Sequence, residues 1–550
     1  MAQATETRET ITAANETFMS HKSVNNSYDV ILIGSGIGGL ACASLLAQRE
    51  NKRVLVLERH FKIGGFTQTF KRKGKFEWDV GVHYIGEMHP GSNMRDLFDF
   101  ITQGKVKWHP MPQTYDRFVY PDFTFDARMG KERLQQDLIT RFPQEAKAIQ
   151  QYFMDIESAM GWFNRYVTVK LMTGMGMVSN LVNRYGAKLA LQTTKEYLDT
   201  HFRDPQLKAV LVSQWGTYGL PPSQSAFVIH ALIADHYFEG GYYPVGGSKV
   251  IADSMIPIIE RAGGHALVNH TVTKILVQGG KAIGVRVQAK KGKQITEKEF
   301  YANAIVSDVG AWITYNELLE EQPFPFRDSL DTLPIGVANV ALYVGFKDTP
   351  RHLGVQGENY WFFSSYDHDA SYDSRNELLD GLVSSCFLSF PSLKNPKAET
   401  HTAEIIAFVD SEPFRRWIDQ PWYRRDEDYG QLKASISAAL MDFTDQRLPG
   451  FKELVDFQEL STPLSTVSFT GHRSGEIYGL PATPMRYRLD WLGVRTPLRN
   501  LFLTGADASS LGVMGAVNGG VLAASLVSGD PSVYMKIFKE AREYSQKLAK

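Results

Sequence analysis

The sequence is poor in cysteine, has almost no net charge and contains no long hydrophobic run. Its two cysteines, Cys42 and Cys386, lie in apolar surroundings and have no histidines nearby at ligand spacing. We therefore predict neither a structural disulfide nor a metal site, and a reducing compartment, the cytoplasm, is favoured. The net charge of −1 gives no reason to expect a nucleic-acid partner. No window of about 20 uninterrupted apolar residues indicates a transmembrane helix.

The length of the chain indicates more than one structural unit. A chain of 550 residues is too long for a single compact core, so two or more units are expected. Residues 1–27 are polar, include Glu6, Glu9 and Glu16, and lack the apolar stretch of a signal peptide. This segment is predicted to be a flexible N-terminal tail.

The most informative segment is Tyr28–Glu58, which reads YDVILIGSGIGGLACASLLAQRENKRVLVLE. An apolar strand enters a glycine turn, an alanine-rich helix follows, and a second strand ends on an acid. This is the dinucleotide-binding fingerprint in its full βαβ setting, with a diphosphate expected at the start of the helix and the acid on ribose hydroxyls. The cofactor-binding residues predicted here are Gly34, Ser35, Gly36, Ile37, Gly38, Gly39 and Glu58.

A second glycine pair narrows the dinucleotide to FAD. Gly64 and Gly65 follow the fingerprint closely, and a nicotinamide dehydrogenase has no need of them. Flavoproteins of the glutathione-reductase type, which this segment resembles, often carry such a pair because the chain passes the diphosphate a second time. The resemblance implies FAD as the cofactor, with Glu58 on its adenosine ribose. It adds these residues to the predicted site: Arg59, Gly64, Gly65, Phe66 and Thr67.

Residues 76–86 carry a more specific resemblance. They read FEWDVGVHYIG, and residues 58–66 read ERHFKIGGF. Together these blocks resemble the phytoene desaturase–carotenoid isomerase superfamily of FAD-dependent oxidoreductases. Within that superfamily the chain is most similar to the retinol saturase-like branch.

Two later segments agree with this resemblance. Tyr242–Ile251 contains the Pro-x-Gly-Gly run that in this superfamily returns the chain from the substrate domain to the FAD domain. Leu501–Gly520 reads LFLTGADASSLGVMGAVNGG, and Ser510-Leu511 stand where carotenoid desaturases usually have a Pro-Gly pair. Its spacing is similar to that of retinol saturases instead. The resemblance adds these predicted FAD contacts: Val272, Gly505, Asp507, Met514 and Gly515.

The resemblance implies an α/β fold with two domains. A Rossmann-type FAD-binding domain of the glutathione-reductase kind is expected to be discontinuous, and a mixed α+β domain is expected to bind the substrate. The FAD-binding domain is predicted to consist of residues 28–110, 238–310 and 487–545. The substrate domain is predicted to consist of residues 111–237 and 311–486, with strands at Val337–Val344 and Glu404–Val409.

The activity implied by the resemblance is FAD-dependent oxidoreduction of a carbon–carbon double bond in a polyene or isoprenoid lipid, as in retinoid and carotenoid saturases and desaturases. The main alternative is a redox-neutral cis–trans or positional isomerase of carotenoids or unsaturated fatty acids, since both activities share every motif. A prenyl-group binding module without flavin and an amine oxidase are lesser alternatives. The external electron donor or acceptor is left open.

His83 and Tyr84 are the candidate catalytic residues. By resemblance, the DVGVHYIG block runs as a strand beside the flavin ring, so His83 is placed to deliver or accept a proton. The alternative for both residues is a structural role, in which they pack against the ring or form hydrogen bonds within the core.

Two features suit a hydrophobic substrate. Aromatic residues in Trp215–Pro222 and Tyr360–Phe363 provide walls for a long apolar molecule, although core packing explains any single one of them. Residues 160–191 mix aromatics and methionines with basic residues, a pattern typical of helices in a membrane interface. Channel lining and internal packing are the alternatives for that segment. Peripheral membrane contact is therefore an expectation.

Overall fold

Two large β-sheets organise the molecule. The structure, a computed structural model, describes residues 25–172, 186–422 and 424–548. The first sheet has a parallel part and an antiparallel meander joined through Gln294–Ser307. In order across the sheet, its strands are His270–Gln278, Lys281–Lys291, Gln294–Ser307, Ser27–Ile33, Val54–Leu57 and His265–Leu267, with Leu501–Leu503 paired to Gln294–Ser307.

The parallel part of this sheet draws its strands from three distant stretches of the chain. Ser27–Ile33 lies between Val54–Leu57 and Gln294–Ser307, and Leu501–Leu503 pairs with the latter. All four residues of Val54–Leu57 are buried, as expected for a parallel strand covered on both faces. The predicted discontinuous Rossmann-type α/β architecture is therefore confirmed, whereas the residue boundaries of the two domains stay a prediction.

The second sheet is antiparallel apart from one parallel pair, Asn359–Phe363 with Thr114–Val119. The two strands predicted here are present as Ala338–Phe346 and Thr402–Val409, and they pair with each other. In order, the strands are Val455–Ser461, Ala338–Phe346, Thr402–Val409, Ser385–Ser389, Asn359–Phe363, Thr114–Val119 and Thr124–Arg128. Two small sheets pair Thr69–Arg72 with Phe76–Asp79 and Trp108–Pro110 with Tyr242–Pro244.

The helices cover the sheets and connect their strands. Ala146–Met172 is 27 residues long, and no helix among the described residues is both long and apolar enough to cross a membrane. The helices are Ile37–Glu50, Asn93–Ile101, Lys131–Arg141, Ala146–Met172, Ala187–Ala190, Thr194–His201, Pro205–Leu211, Phe227–Tyr237, Lys249–Arg261, Arg327–Asp331, His368–Asp373, Pro391–Lys394, Glu427–Arg447, Pro463–Thr470, Gly512–Val527 and Val533–Leu548.

Glycines allow helix Ile37–Glu50 to pack very closely on Gly512–Val527. A Cβ on Gly38 would lie 2.6 Å from the Cα of Gly505, and a Cβ on Gly520 would lie 2.5 Å from the carbonyl oxygen of Gly38. Any larger side chain at these positions would push the two helices apart. The start of the fingerprint helix and residues beyond position 500 are therefore held in direct contact.

Part of the segment predicted to lie in a membrane interface is instead core. Trp162, Phe163 and Leu171 are buried in helix Ala146–Met172, and Lys170 Nζ donates hydrogen bonds to the carbonyl oxygens of loop residues 489 and 492. Internal packing therefore explains these three apolar residues. Met172, at the end of this helix, is 63% exposed. Residues 173–185, which include Met175 and Met177, lie outside the described part of the chain.

Candidate active site

A cavity of about 2200 Å³ lies between the two sheets and reaches both. Its wall includes the fingerprint turn, the second glycine pair and the start of helix Gly512–Val527 on one side, and strands of the second sheet on the other. Most predicted cofactor-binding residues line it: Gly34, Ser35, Gly36, Ile37, Gly38, Glu58, Arg59, Gly65, Phe66, Thr67, Val272, Gly505 and Asp507.

The fingerprint turn forms an anion seat at one end of the cavity. Gly34 has a φ of 93°, which favours glycine, and Gly36 is the N-cap of helix Ile37–Glu50. Gly36 has no side chain to cap this helix, and the Asp308 carboxylate lies against the helix start beside Gly36 and Gly39. The start of the helix lines the cavity. Such a helix start attracts the negative charge of a diphosphate.

Glu58 is fixed at the edge of this seat. Its Oε2 accepts hydrogen bonds from the Ser35 N–H at 3.0 Å and the Ser35 Oγ at 2.6 Å, and its Oε1 accepts one from the His60 N–H at 2.7 Å. The pKa of Glu58 is raised, because the effect of burial outweighs the opposing effect of these hydrogen bonds. A carboxylate has about four acceptor positions, so Glu58 retains one for a ribose hydroxyl.

The second glycine pair packs directly against the first turn. Gly64 and Gly65 have φ values of 116° and 54°, and a Cβ on Gly65 would lie 3.2 Å from the Cα of Gly36. The Gly64 N–H donates to Ser35 Oγ at 3.1 Å, and Thr67 Oγ1 donates to the Gly64 carbonyl at 2.7 Å. The two loops therefore form one continuous backbone surface, as expected if both approach a diphosphate.

The segment after Leu501–Leu503 completes this end of the cavity. Asp507 Oδ1 accepts the Leu480 N–H at 2.9 Å, and its Oδ2 accepts the Ala311 N–H at 2.8 Å, so Asp507 joins two loops. No described side chain caps helix Gly512–Val527, whose first residues line the cavity. The lining residues of this helix are Gly512, Val513 and Ala516, whereas the predicted contacts Met514 and Gly515 are not among them.

Asp308 is a site residue that the sequence reasoning missed. It follows strand Gln294–Ser307, lines the cavity and is in close contact with the fingerprint, since a Cβ on Gly36 would lie 2.5 Å from its Oδ2. Burial raises the pKa of Asp308 to about 7, and the carboxylates of Glu58 and Asp507 add to this effect. The sequence does contain a signal for this residue, because Asp308 is an acid that directly follows the largely apolar end of strand Gln294–Ser307.

His83 lies across the cavity from the anion seat. The strand expected for the DVGVHYIG block ends at Asp79. The backbone after it makes only scattered bonds, in which the Val80 N–H donates to Gln68 and the Ile85 N–H to Tyr242. This irregular stretch turns the His83 side chain toward Glu404, whose Oε2 lies 2.7 Å from His83 Nδ1. His83 also lines the cavity, with its side chain 20% exposed.

Tyr84 belongs to a separate buried polar cluster. Asp116 accepts hydrogen bonds from the Tyr84 hydroxyl at 2.8 Å, from Gln214 Nε2 at 2.7 Å and from Asn359 Nδ2 at 2.8 Å. Lys394 Nζ donates to Asn359 and, at 3.0 Å, to the His83 carbonyl oxygen. Burial raises the pKa of Asp116 and lowers that of Lys394 to about 8. Neither Asp116 nor Lys394 was predicted as part of the site.

Aromatic side chains form the rest of the chamber beside His83. In strand Asn359–Phe363, Trp361 and Phe363 line the cavity, whereas Tyr360 and Phe362 point to the opposite face and pack in a core. The predicted aromatic wall is therefore formed by alternate residues. The lining aromatics near His83 and Tyr84 are Trp215, Trp361, Phe363, Phe387, Phe408 and Tyr478.

The arrangement fits FAD. Two helix starts, a pair of glycine loops in contact and a fixed carboxylate line one end of the cavity. A Cβ on Gly65 would occupy the space between the two glycine loops, whose backbone a dinucleotide must approach. The fold and this site define a flavoprotein of the Rossmann type.

The family comparison agrees with this class. Residues 37–528 match the family described as flavin containing amine oxidoreductase, and the chain belongs to that family. The protein is an FAD-dependent oxidoreductase.

Individual relatives place it more closely. The chain is 32% identical to the all-trans-retinol 13,14-reductase of Rattus norvegicus over 532 residues, covering 92% of this chain and 86% of that one. It is 24% identical to prolycopene isomerase 1 of an Oncidium hybrid cultivar, covering 92% and 85%. The fold is similar to the crystal structure of an oxidoreductase from Methanosarcina mazei, with a TM-score of 0.59, 16% identity and coverage of 91% and 100%.

Proposed function

We propose that this protein reduces one carbon–carbon double bond of a long polyene lipid, such as a retinoid. The observation that carries the proposal is the shape of the cavity, which runs from the dinucleotide seat into an aromatic chamber. Its volume of about 2200 Å³ exceeds the roughly 300–1000 Å³ of a site for one small ligand. It therefore has room for FAD and a hydrophobic substrate together. The retinol reductase relative supports this substrate class.

The chain's own residues hold the cofactor and exclude water. Glu58 binds the adenosine ribose, and the helix start at Ile37 and the Gly64–Gly65 loop bind the diphosphate. When bound and reduced, FAD supplies a hydride equivalent to one carbon of the double bond. Trp361 and Phe363 hold the polyene against the flavin end of the chamber and keep solvent away.

His83 supplies the proton that saturation also requires. A double bond that receives a hydride at one carbon needs a proton at the other, and His83 is a titratable group on the chamber wall. An isomerase that returns the hydride has no need of this donor. The pairing of His83 with Glu404 at 2.7 Å therefore favours saturation over isomerisation. Tyr84 is assigned a structural role, because its hydroxyl already donates to Asp116.

The test uses the purified flavoprotein without oxygen. Photoreduced enzyme is mixed with all-trans-retinol, a carotenoid or an unsaturated fatty acid, and flavin reoxidation and product mass are recorded. We expect a polyene to reoxidise the flavin and to gain two hydrogens. An unchanged mass with a shifted double bond would instead establish an isomerase, and failure of every polyene to reoxidise the flavin would exclude both.

We further propose a cytoplasmic protein that contacts membranes peripherally, since its substrate dissolves in bilayers. Ile335 and Trp422 line the cavity, and they are 50% and 43% exposed. The exposed Lys71 and Lys73 line the same cavity and would face lipid phosphates. Sedimentation with phosphatidylserine-containing vesicles should carry the protein down, and Trp422→Ala should weaken this. Equal sedimentation with and without vesicles would contradict it.

A further inference from the structure

We infer that Glu404 is the positioning residue that orients His83 as the proton donor to the substrate. The inference rests on the proposed reduction of a double bond. Glu404 lies in strand Thr402–Val409 of the second sheet and its side chain is fully buried. Its Oε2 lies 2.7 Å from His83 Nδ1, at the end of the imidazole that points away from the chamber.

This contact sets which nitrogen of His83 faces the substrate. A carboxylate accepts hydrogen bonds, so Nδ1 carries a hydrogen and donates it to Glu404. No described residue forms a hydrogen bond with His83 Nε2, and the side chain, one fifth exposed, lines the cavity. A proton on Nε2 is then directed into the chamber.

Glu404 is itself held in place by the chain. Its Oε1 accepts the Asp79 N–H at 3.1 Å. The Asp79 carboxylate in turn accepts the Ser248 N–H at 2.9 Å and the hydroxyl of Tyr243. From the other side, Lys394 Nζ donates to the His83 carbonyl. The imidazole and its acceptor are therefore fixed by contacts from several elements.

Two buried carboxyl groups, those of Glu404 and Asp79, and the buried ammonium group of Lys394 lie around His83 and its backbone. Glu404 is the buried acid in direct contact with the imidazole. Burial raises the pKa values of Glu404, Asp79 and Asp116, and the His83 charge is among the influences that lower those of Glu404 and Asp79.

Bound, reduced FAD would supply a hydride equivalent, with its two electrons, for a new C–H bond at one carbon. The π electron pair of the double bond takes the proton from His83 Nε2 at the adjacent carbon, so one N–H bond breaks and a second C–H bond forms. The imidazole left behind is neutral and still donates from Nδ1 to Glu404. Water reprotonates Nε2 after the product leaves.

The experiment compares Glu404→Gln with two other variants. His83→Gln removes the donor. Glu412→Gln makes the same change at an exposed glutamate in the surface turn Glu412–Trp417 and serves as the matched control. Single-turnover reoxidation of photoreduced, flavin-loaded protein by all-trans-retinol is measured from pH 5.5 to 9, together with its solvent isotope effect.

We expect the wild-type rate to fall in one step as pH rises and His83 loses its proton. Glu404→Gln should move this step at least one pH unit lower and slow the reaction 10- to 100-fold at pH 7.5 with unchanged flavin content. His83→Gln should abolish the step, and Glu412→Gln should match wild type. A wild-type profile in Glu404→Gln would overturn the inference.

A second readout separates this inference from the proposed reaction. Nitrogen-15 NMR of labelled histidine, with His83 assigned by the signal missing in His83→Gln, reports the imidazole titration without any substrate. Suppose that no polyene reoxidises the flavin but that His83 titrates at least one pH unit lower in Glu404→Gln. The proposed reduction of a polyene is then contradicted, whereas the positioning of His83 by Glu404 is supported. An unshifted His83 titration contradicts the inference. If Glu404→Gln does not fold, Glu404→Asp, which keeps the charge, takes its place and should retain the protonated imidazole.

Discussion

The hydroxyl of Tyr84 donates a 2.8 Å hydrogen bond to Asp116, on a strand of the second sheet, while its neighbour His83 turns to Glu404. Two adjacent residues thus enter two different polar clusters. Burial raises the pKa of Tyr84 well above its ordinary value, and the Asp116 charge adds to this. Tyr84 is consequently a poor acid and serves to satisfy a buried carboxylate.

Replacing Tyr84 with Phe should therefore affect stability more than chemistry. Asp116 would keep its bonds to Asn359 and Gln214 but lose one donor, and we expect a stability loss of about 1–3 kcal/mol. Single-turnover reoxidation should stay within about threefold of wild type, since proton transfer uses another group. Denaturant unfolding and stopped-flow absorbance measure the two effects. A loss of rate as large as that of His83→Gln would assign Tyr84 a catalytic role.

The substitution Gly38→Ala should prevent flavin binding. The added methyl group would lie 2.6 Å from the Gly505 Cα and force the helix starts apart. We expect the purified protein to hold less than about a tenth of the wild-type flavin content, because the anion seat and the segment after Leu501–Leu503 would no longer be in contact. Absorbance at the flavin band relative to protein measures this.

The matched control is Gly430→Ala. Gly430 is exposed within helix Glu427–Arg447, and an added Cβ there meets nothing within 4 Å. This variant should keep its flavin and gain up to about 1 kcal/mol from improved helix propensity. Full flavin content in Gly38→Ala would show that the close approach is dispensable.

The buried acid Asp308 should make stability depend on pH between about 4 and 7. Its folded-state pKa of about 7 lies above the unfolded value of about 3.9, so the folded state binds the proton more tightly. Its contribution is present below pH 4 and is lost as pH rises to 7.

Asp308→Asn removes this dependence. From pH 4 to pH 8 its stability should rise relative to wild type by up to roughly 4 kcal/mol, the equivalent of about three pKa units. Denaturant unfolding at the two pH values measures the difference. Asp328→Asn, at an exposed acid in Arg327–Asp331, should give no such change. If the free energy of unfolding depended on pH in the same way in Asp308→Asn and in wild type, Asp308 would not be the source of the pH dependence.

Enlarging Gly216 should narrow the aromatic chamber without affecting the flavin. A Cβ at this position would lie 2.7 Å from Cζ3 of Trp361, on the cavity wall. Gly216→Leu should therefore raise the KM for a polyene at least tenfold while flavin content stays normal. Gly430→Leu makes the same change in open space and should leave KM unaltered. An unchanged KM in Gly216→Leu would place the substrate elsewhere.

The sequence was sufficient to predict the cofactor end of the site. The glycine turns of the cofactor site depend on local backbone geometry. A glycine such as Gly34, with a φ of 93°, is required by that geometry, so a short motif is enough to predict it. The two predicted strands of the second sheet, each largely apolar, were also found close to their expected bounds. Structure that depends on residues close together in the sequence could therefore be predicted.

The proton-donating end was not predictable in the same way. Glu404 and Lys394 come from separate parts of the second sheet and its connections, and only tertiary packing brings them to His83. Glu404 did carry a signal, since it is the one charged residue in the apolar strand TAEIIAFV. A buried acid in a strand indicates a partner but does not say which.

The parallel sheet takes strands from residues 27–57, 265–307 and 501–503, and this order constrains how the protein is made. While a nascent chain emerges from the ribosome, its fingerprint turn appears early, yet Gly505 and helix Gly512–Val527 are not synthesised until much later. The flavin site is thus completed only after every strand of the second sheet has been translated. Loading of FAD therefore follows translation, and the edge of strand Ser27–Ile33 that pairs with Gln294–Ser307 has no partner until that later strand has been made.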